Sequence, residues 1–219
     1  MNGPLDHDHD HEHGEPHRHP PRPDLEDGPY TWHMALTDAV ADLLLAKGLI
    51  TADELRRTVE EIDAKSPALG ARLVARAWVD PAFKARLLAD VNAAAAELGI
   101  DAGGIPIRAI ECGPGEHHVI VCTLCSCYPR LLLGPPPDWY KARAYRSRVV
   151  REPRAVLAEF GLELPADVRV VVHDSTAELR FMVLPRRPEG TEGWDEERLA
   201  SLVTRDCLIG VAVPRVPEG

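Results

Sequence analysis

Three thiols fall within six residues, Cys122-Thr123-Leu124-Cys125-Ser126-Cys127, just before Tyr128-Pro129. From a straight strand they cannot all enter a packed core, because successive side chains alternate between two faces. Cys122 and Cys125 converge only if the chain curls after Leu124, and Cys125 and Cys127 then flank the backbone of Ser126. Such a curl aims sulfur atoms and peptide nitrogens at one point. It makes a claw for a single metal ion, built from backbone as well as side chains. Other thiol chemistries fit the spacing less well. A structural zinc site takes four side-chain ligands, usually as two separated pairs. Cys112 and Cys207 are isolated in the sequence and read as small buried hydrophobes. An iron–sulfur cluster needs four thiolates at spacings absent here. A redox dithiol at Cys122 and Cys125 ordinarily opens a helix in a βαβ setting and leaves the third cysteine without a role.

The elements that must hold this curl follow from the periodicity. Aliphatic and β-branched runs over 105–110, 117–124, 168–173, 179–184 and 208–213 predict strands, and the second runs directly into the cysteines. Helices are predicted over 142–160 and 194–203. The stretch 34–99 reads as helical throughout. Leu36, Val40, Leu43 and Leu44 recur at helical spacing before Gly48. A second helix spans 52–64. Ser66-Pro67 opens a third that runs to Trp78, and Asp80-Pro81 opens a fourth that reaches Leu98. These short helices lack the bulk for an independent bundle, so their expected role is to wrap a neighbour, either the rest of the chain or a partner subunit. Strands and helices in mixed order point to an α+β fold with layered sheets.

Composition narrows the function. The 219 residues carry 25 Lys and Arg against 35 Asp and Glu, a net charge of -10 that opposes capture of nucleic acid or an anionic membrane. No window approaches eighteen uninterrupted apolar residues, so neither a membrane span nor a secretory signal is expected, and the expected compartment is the cytoplasm. Residues 1–34 form a leader in which His7, His9, His11, His13, His17 and His19 alternate with acids and prolines. It is expected to be disordered; it reads either as a tract that recruits divalent metal or as a solubilising tail.

Beyond the cysteines, the chain carries Pro136-Pro137-Asp138-Trp139-Tyr140, a run from Tyr145 to Arg154, another from Arg180 to Pro185, Gly190 to Trp194, and Thr204 to Gly210. Together with the cysteine motif, these blocks resemble the metal-binding α subunits of nitrile hydratases and the related metal subunit of thiocyanate hydrolase. The resemblance covers residue 35 to the C-terminus. It implies an N-terminal helical arm (35–99) that wraps a partner subunit, followed by a layered α-β-β-α domain (100–219) carrying the claw. It implies an axial thiolate at Cys122, equatorial sulfurs at Cys125 and Cys127, and deprotonated amide nitrogens of Ser126 and Cys127 in the plane. It further implies sulfinate at Cys125 and sulfenate at Cys127, oxidations that thiolate character favours.

Thr123 and Tyr128 resemble the cobalt type, so one non-corrin Co(III) per subunit is expected, with Fe(III) as the alternative. The implied reaction is hydration of a nitrile to an amide, in a heteromer with β-type chains whose arginines hold the sulfur oxygens, after loading by a cobalt-delivery activator. Cys127, Cys125 and Arg130 are the expected catalytic residues. Arg130 stands where many cobalt nitrile hydratases have Trp and where the thiocyanate enzyme has Arg, and a guanidinium there could orient thiocyanate or a polar nitrile. Conversion of thiocyanate to carbonyl sulfide and ammonia is therefore the alternative. A non-catalytic metal or redox sensor is a further one. His117 and His118 point to opposite faces and cannot both be ligands. Arg146, Arg148, Arg151 and Arg154 are expected to make salt bridges rather than to bind phosphate.

Overall fold

A computed structural model describes residues 31–63 and 65–217. The six leader histidines, and the metal-recruiting role considered for them, lie outside the described residues. The chain divides into two compact units, residues 1–52 and 53–219. In the first, Thr31 caps α1 (Trp32–Ala46) by accepting the Met34 N–H. No residue of α1 is buried, and its apolar side chains Trp32, Met34, Leu36, Val40 and Leu43 are exposed.

The second unit takes in α2 (Ala52–Asp63) from its second residue and continues through α3 (Ala68–Val79), α4 (Pro81–Ala89) and α5 (Val91–Glu97). Leu73, Val74, Phe83, Leu87 and Val91 are buried in this chain's own core. The helix expected from Pro81 to Leu98 is two helices. Asp90 is extended at φ -155° and ψ 106°, and its carboxylate accepts the Ala93 N–H at 3.0 Å, which caps α5 and stops α4. Asp80 caps α4 in the same way, through the Phe83 N–H at 2.9 Å.

Four strands pair in two parallel ladders among the described residues. β1 (Ile107–Glu111) pairs with β4 (Arg180–Leu184), with Ile107 opposite Arg180. β2 (Glu116–Val121) pairs with β3 (Arg169–Asp174), with Val121 opposite Asp174. Parallel partners need long crossovers, and here helices fill them. Between β2 and β3 lie α6 (Arg130–Leu133), α7 (Asp138–Lys141), α8 (Arg143–Arg148) and α9 (Pro153–Glu159); after β4 come α10 (Glu196–Ala200) and α11 (Arg205–Ile209). Helices α4 and α5 pack on β1, α9 on β3, and α11 on β2 and β4. This mixed, layered arrangement is the α+β fold that the sequence pattern predicts.

Three further local expectations are corrected. The helix predicted over 142–160 is split into α8 and α9, because Pro153 has no N–H to continue it and starts a new turn instead. The stretch 208–213, expected as a strand, is the end of α11 and its exit: Thr204 caps the helix through the Cys207 N–H, and Gly210 ends it at φ 93°. A Cβ at Gly210 would lie 2.0 Å from the His118 carbonyl oxygen, so only glycine lets the helix end approach β2 this closely. The strand expected over 117–124 stops at Val121, and the cysteines lie beyond it in a turn.

Candidate metal centre

β2 delivers Cys122 at its end, 1% exposed, and the chain then curls as the cysteine spacing requires. The Sγ atoms of Cys122 and Cys125 are 3.5 Å apart, those of Cys125 and Cys127 are 3.2 Å apart, and all three lie within 4.8 Å of one another. The Cys125 N–H donates to Cys122 Sγ at 3.3 Å.

The turn is held from outside. Asp174, at the end of the paired strand β3, accepts from both the N–H and the hydroxyl of Thr123. Arg146 Nη1 donates to the Thr123 carbonyl at 3.2 Å. Tyr140 OH donates to the Cys127 carbonyl at 3.0 Å, and Tyr145 OH to that of Ile120 at 2.7 Å. The two tyrosines belong to an aromatic cluster with Tyr128, Trp139 and Phe160. Five of the chain's eleven aromatic residues thus gather where the claw is anchored.

Electrostatics single out one sulfur. Hydrogen bonds from the thiols of Cys127 and Cys122, with further help from the backbone N–H groups of Cys127 and Ser126, lower the Cys125 thiol to about 7. Burial, together with proton sharing with its neighbours, pushes Cys127 up to about 12, and the Arg180 charge opposes this rise. The N–H groups of Ser126 and Cys127 therefore act on the same sulfur that the other two thiols flank. Three soft sulfurs and two peptide nitrogens suit a transition ion better than a hard cation. Among the described residues no fourth His, Cys or carboxylate joins the group, so a closed four-ligand zinc site does not form.

A cavity of about 410 Å³ opens onto Cys125, Ser126 and Cys127, with Gly103, Arg130 and Arg180 among its walls. Arg130 is exposed and begins α6 at the rim. Arg180, Asp174 and Tyr140 are site residues that the sequence reading missed. Arg180 and Tyr140 lie in blocks quoted for the resemblance, whereas nothing in the local pattern marks Asp174.

The other candidates have structural roles. His117 Nε2 contacts the Gly210 carbonyl at 2.7 Å, while His118 Nδ1 meets His173 Nε2 at 3.0 Å on the opposite side of the strand. Burial lowers all three histidines. Cys112 is buried, which raises its thiol to about 11, and Cys207 is likewise buried. Arg148 pairs with Glu152 and Glu159 as expected, whereas Arg146, Arg151 and Arg154 donate to the carbonyls of Thr123, Ser147 and Leu164 rather than making the expected salt bridges.

The profile of the nitrile hydratase alpha chain matches residues 32–212. The low-molecular weight cobalt-containing nitrile hydratase subunit alpha of Rhodococcus rhodochrous is 51% identical over 186 residues, covering 84% of this chain and 90% of the relative. A solved recombinant thiocyanate hydrolase comprising partially modified cobalt centres superposes with a TM-score of 0.79 at 45% identity, over 84% of this chain and 91% of that one. A double mutant of the Fe-type nitrile hydratase from Comamonas testosteroni Ni1 superposes with the same TM-score of 0.79 at 42% identity, over 85% and 95%.

Proposed function

The chain belongs to the nitrile hydratase alpha-chain family, and from that premise we propose that it is the metal-bearing subunit of a cobalt enzyme that hydrates nitriles to amides. The observation that carries this reading is the convergence of three sulfurs within 4.8 Å in the turn that leaves β2. Cys122, Cys125 and Cys127 would hold the ion through sulfur, and Ser126 and Cys127 through their amide nitrogens. A trivalent ion in such a set polarises a cyano nitrogen or acidifies a bound water. Cobalt is favoured over iron because the cobalt-containing relative is the more similar in sequence, although an Fe-type structure is also similar.

The chain's own residues shape the rest. The cavity, about 410 Å³, has room for a small substrate beside Cys125 and Cys127, and Arg130 and Arg180 make its wall cationic. Leu124 is 87% exposed at the tip of the claw turn. Such an apolar side chain beside reactive sulfurs fits a site completed by another chain, here β-type subunits, after an activator has delivered cobalt. No helix among the described residues is long and apolar enough to cross a membrane, and a cytoplasmic location is part of the proposal.

A second reading, hydrolysis of thiocyanate to carbonyl sulfide and ammonia, is favoured by Arg130 in the cavity wall, since a guanidinium attracts an anionic substrate. Both readings are tested on the chain co-expressed with its β-type partners and a cobalt supply. Elemental analysis should give about one cobalt per chain, as a single claw requires. Product analysis then separates amide from carbonyl sulfide. Stoichiometric zinc on unmodified thiols, or metal without turnover of either substrate, would overturn the hydratase reading in favour of a sensor.

A further inference from the structure

Arg180 opens β4, where its backbone N–H donates to the Pro106 carbonyl and fixes the root of the side chain. The side chain reaches the cavity that Cys125, Ser126 and Cys127 line. Its Nη1 is shielded from solvent and has no hydrogen-bond partner among the described residues. Two other arginines also have a shielded nitrogen without a partner, Arg76 and Arg146 at Nε. Each of those guanidiniums is nevertheless anchored by another nitrogen: Arg76 to Glu196 and Asp80, Arg146 to the Thr123 carbonyl. For the Arg180 guanidinium no hydrogen bond or ion pair is found among the described residues.

A guanidinium carries only donors and stays charged at any physiological pH. Left without an acceptor in a sheltered position, it is costly and must be compensated. No Asp or Glu lines the cavity; apart from the phenol of Tyr128, the only side chains there that can carry negative charge are the sulfurs of Cys125 and Cys127. We propose that Arg180 is this chain's own seat for a compact anionic acceptor at the claw. The acceptor is either an oxygen carried on the Cys127 sulfur or a small free anion in the cavity. The inference rests on the claw being a metal centre. It assigns to this subunit a contact for negative charge in addition to any that a partner chain brings.

The test uses the cobalt-supplied heteromer and its Arg180→Met and Arg180→Lys variants. Each is measured for cobalt per chain, for oxygen on the claw peptide by mass spectrometry, and for azide affinity by equilibrium dialysis. If the acceptor is on sulfur, Arg180→Met retains cobalt but loses the single oxygen on Cys127 in most chains. If it is a free anion, the claw oxygens stay and azide binds about tenfold more weakly, as expected for loss of a charge-assisted hydrogen bond. Arg180→Lys keeps the charge without the fork and should fall between parent and Met. It carries the test if the Met variant does not assemble. Parent-like oxygen and azide affinity in the assembled variants overturns the inference alone. A parent without cobalt and without claw oxygens overturns the underlying reading as well.

Discussion

Asp174 grips Thr123 with both carboxylate oxygens: Oδ1 accepts the backbone N–H at 2.9 Å, and Oδ2 accepts the hydroxyl at 2.5 Å. Thr123 follows Cys122 directly, so this grip fixes where the chain leaves β2 and begins to curl. Strand pairing supplies the partner, since Asp174 lies opposite Val121 in the parallel ladder. Thr123→Val keeps the shape and the N–H bond but loses the hydroxyl, whereas Thr123→Ser keeps both. The Val variant should lose about 1 kcal/mol or less of stability, because the site is exposed. Its cobalt affinity should fall about tenfold, as when groups that orient metal ligands are removed. Serine should restore loading, as measured by metal titration of the assembled complex; equal loading of Val and parent would show that the grip is incidental.

Gly210 offers a sharper test of the fold. Its φ of 93° is a left-handed conformation, and a Cβ there would sit 2.0 Å from the His118 carbonyl oxygen, a backbone atom that cannot step aside. The same residue accepts from His117. Gly210→Ala should therefore destabilise the chain by more than about 4 kcal/mol, in the range reserved for strain and lost packing together. Denaturant unfolding of the variant measures this, and a loss below about 1 kcal/mol would mean that α11 does not press on β2 as described.

How much of this was legible beforehand depends on what kind of information each feature needs. That the chain must curl among the cysteines could be read from spacing alone, because three sulfurs at those intervals cannot leave a straight strand on one side; its place was expected after Leu124, whereas the chain bends from Thr123, just beyond the end of β2. The cap at Asp80 is local chemistry and falls where the sequence places a helix start. The last predicted strand failed because Leu208, Ile209 and Val211 are buried on all sides, and a short apolar run of that kind has no periodicity to separate strand from helix. Asp174 and Arg180 were missed for a different reason. Each reaches the claw through a parallel pairing that joins segments more than fifty residues apart, and no local pattern encodes such a pairing.

Acid should weaken the fold through its buried histidines. Burial holds His117, His118 and His173 below the ordinary histidine value of 6.5. In the unfolded chain they take up protons first, so the unfolded state binds more protons and stability falls as pH drops below about 6.5. The loss continues until the folded-state values are passed. Asp206 is raised by burial and acts in the opposite direction, but only around the carboxylate range at more acid pH. Melting temperature should therefore decline from about pH 6.5 downward. His173→Phe, beside the Phe181 ring at 5.3 Å, removes one titrating group and should make the decline shallower. An unchanged profile would assign the acid sensitivity to other groups.

Without metal, the three thiols should differ in reactivity. Cys125 is exposed and lowered to about 7, while Cys127, half-buried, is raised to about 12. The thiolate is the nucleophile, so iodoacetamide should label Cys125 first, with its rate half-maximal at a pH of about 7. Labelling of Cys127 should lag until Cys125 is blocked. Tryptic mass spectrometry of the reduced, metal-free chain after short exposures decides this. Simultaneous labelling at neutral pH would show that the sulfurs do not share a proton as their 3.2 Å spacing implies.

Tyr140 separates holding the fold from aiming the claw. It is fully buried, packed edge-on against Tyr128 at 5.1 Å and near Tyr145, and its hydroxyl donates to the Cys127 carbonyl at 3.0 Å. Tyr140→Phe leaves the ring in its box and removes only the donor. The half-buried Cys127 carbonyl then lacks this partner, at a cost of about 1 to 3 kcal/mol if no water replaces it. The variant should still fold and assemble, with a melting point lowered by several degrees. The carbonyl bond fixes the backbone that carries Cys127 Sγ, so its loss should let that sulfur swing away from Cys125. In the cobalt-loaded complex this should shift the sulfur-to-cobalt charge-transfer absorption, which a purely packing role of Tyr140 would leave in place. A variant that melts lower but keeps the parent spectrum would confine Tyr140 to the core. One that melts like the parent but shifts the spectrum would make it a positioning residue for the claw.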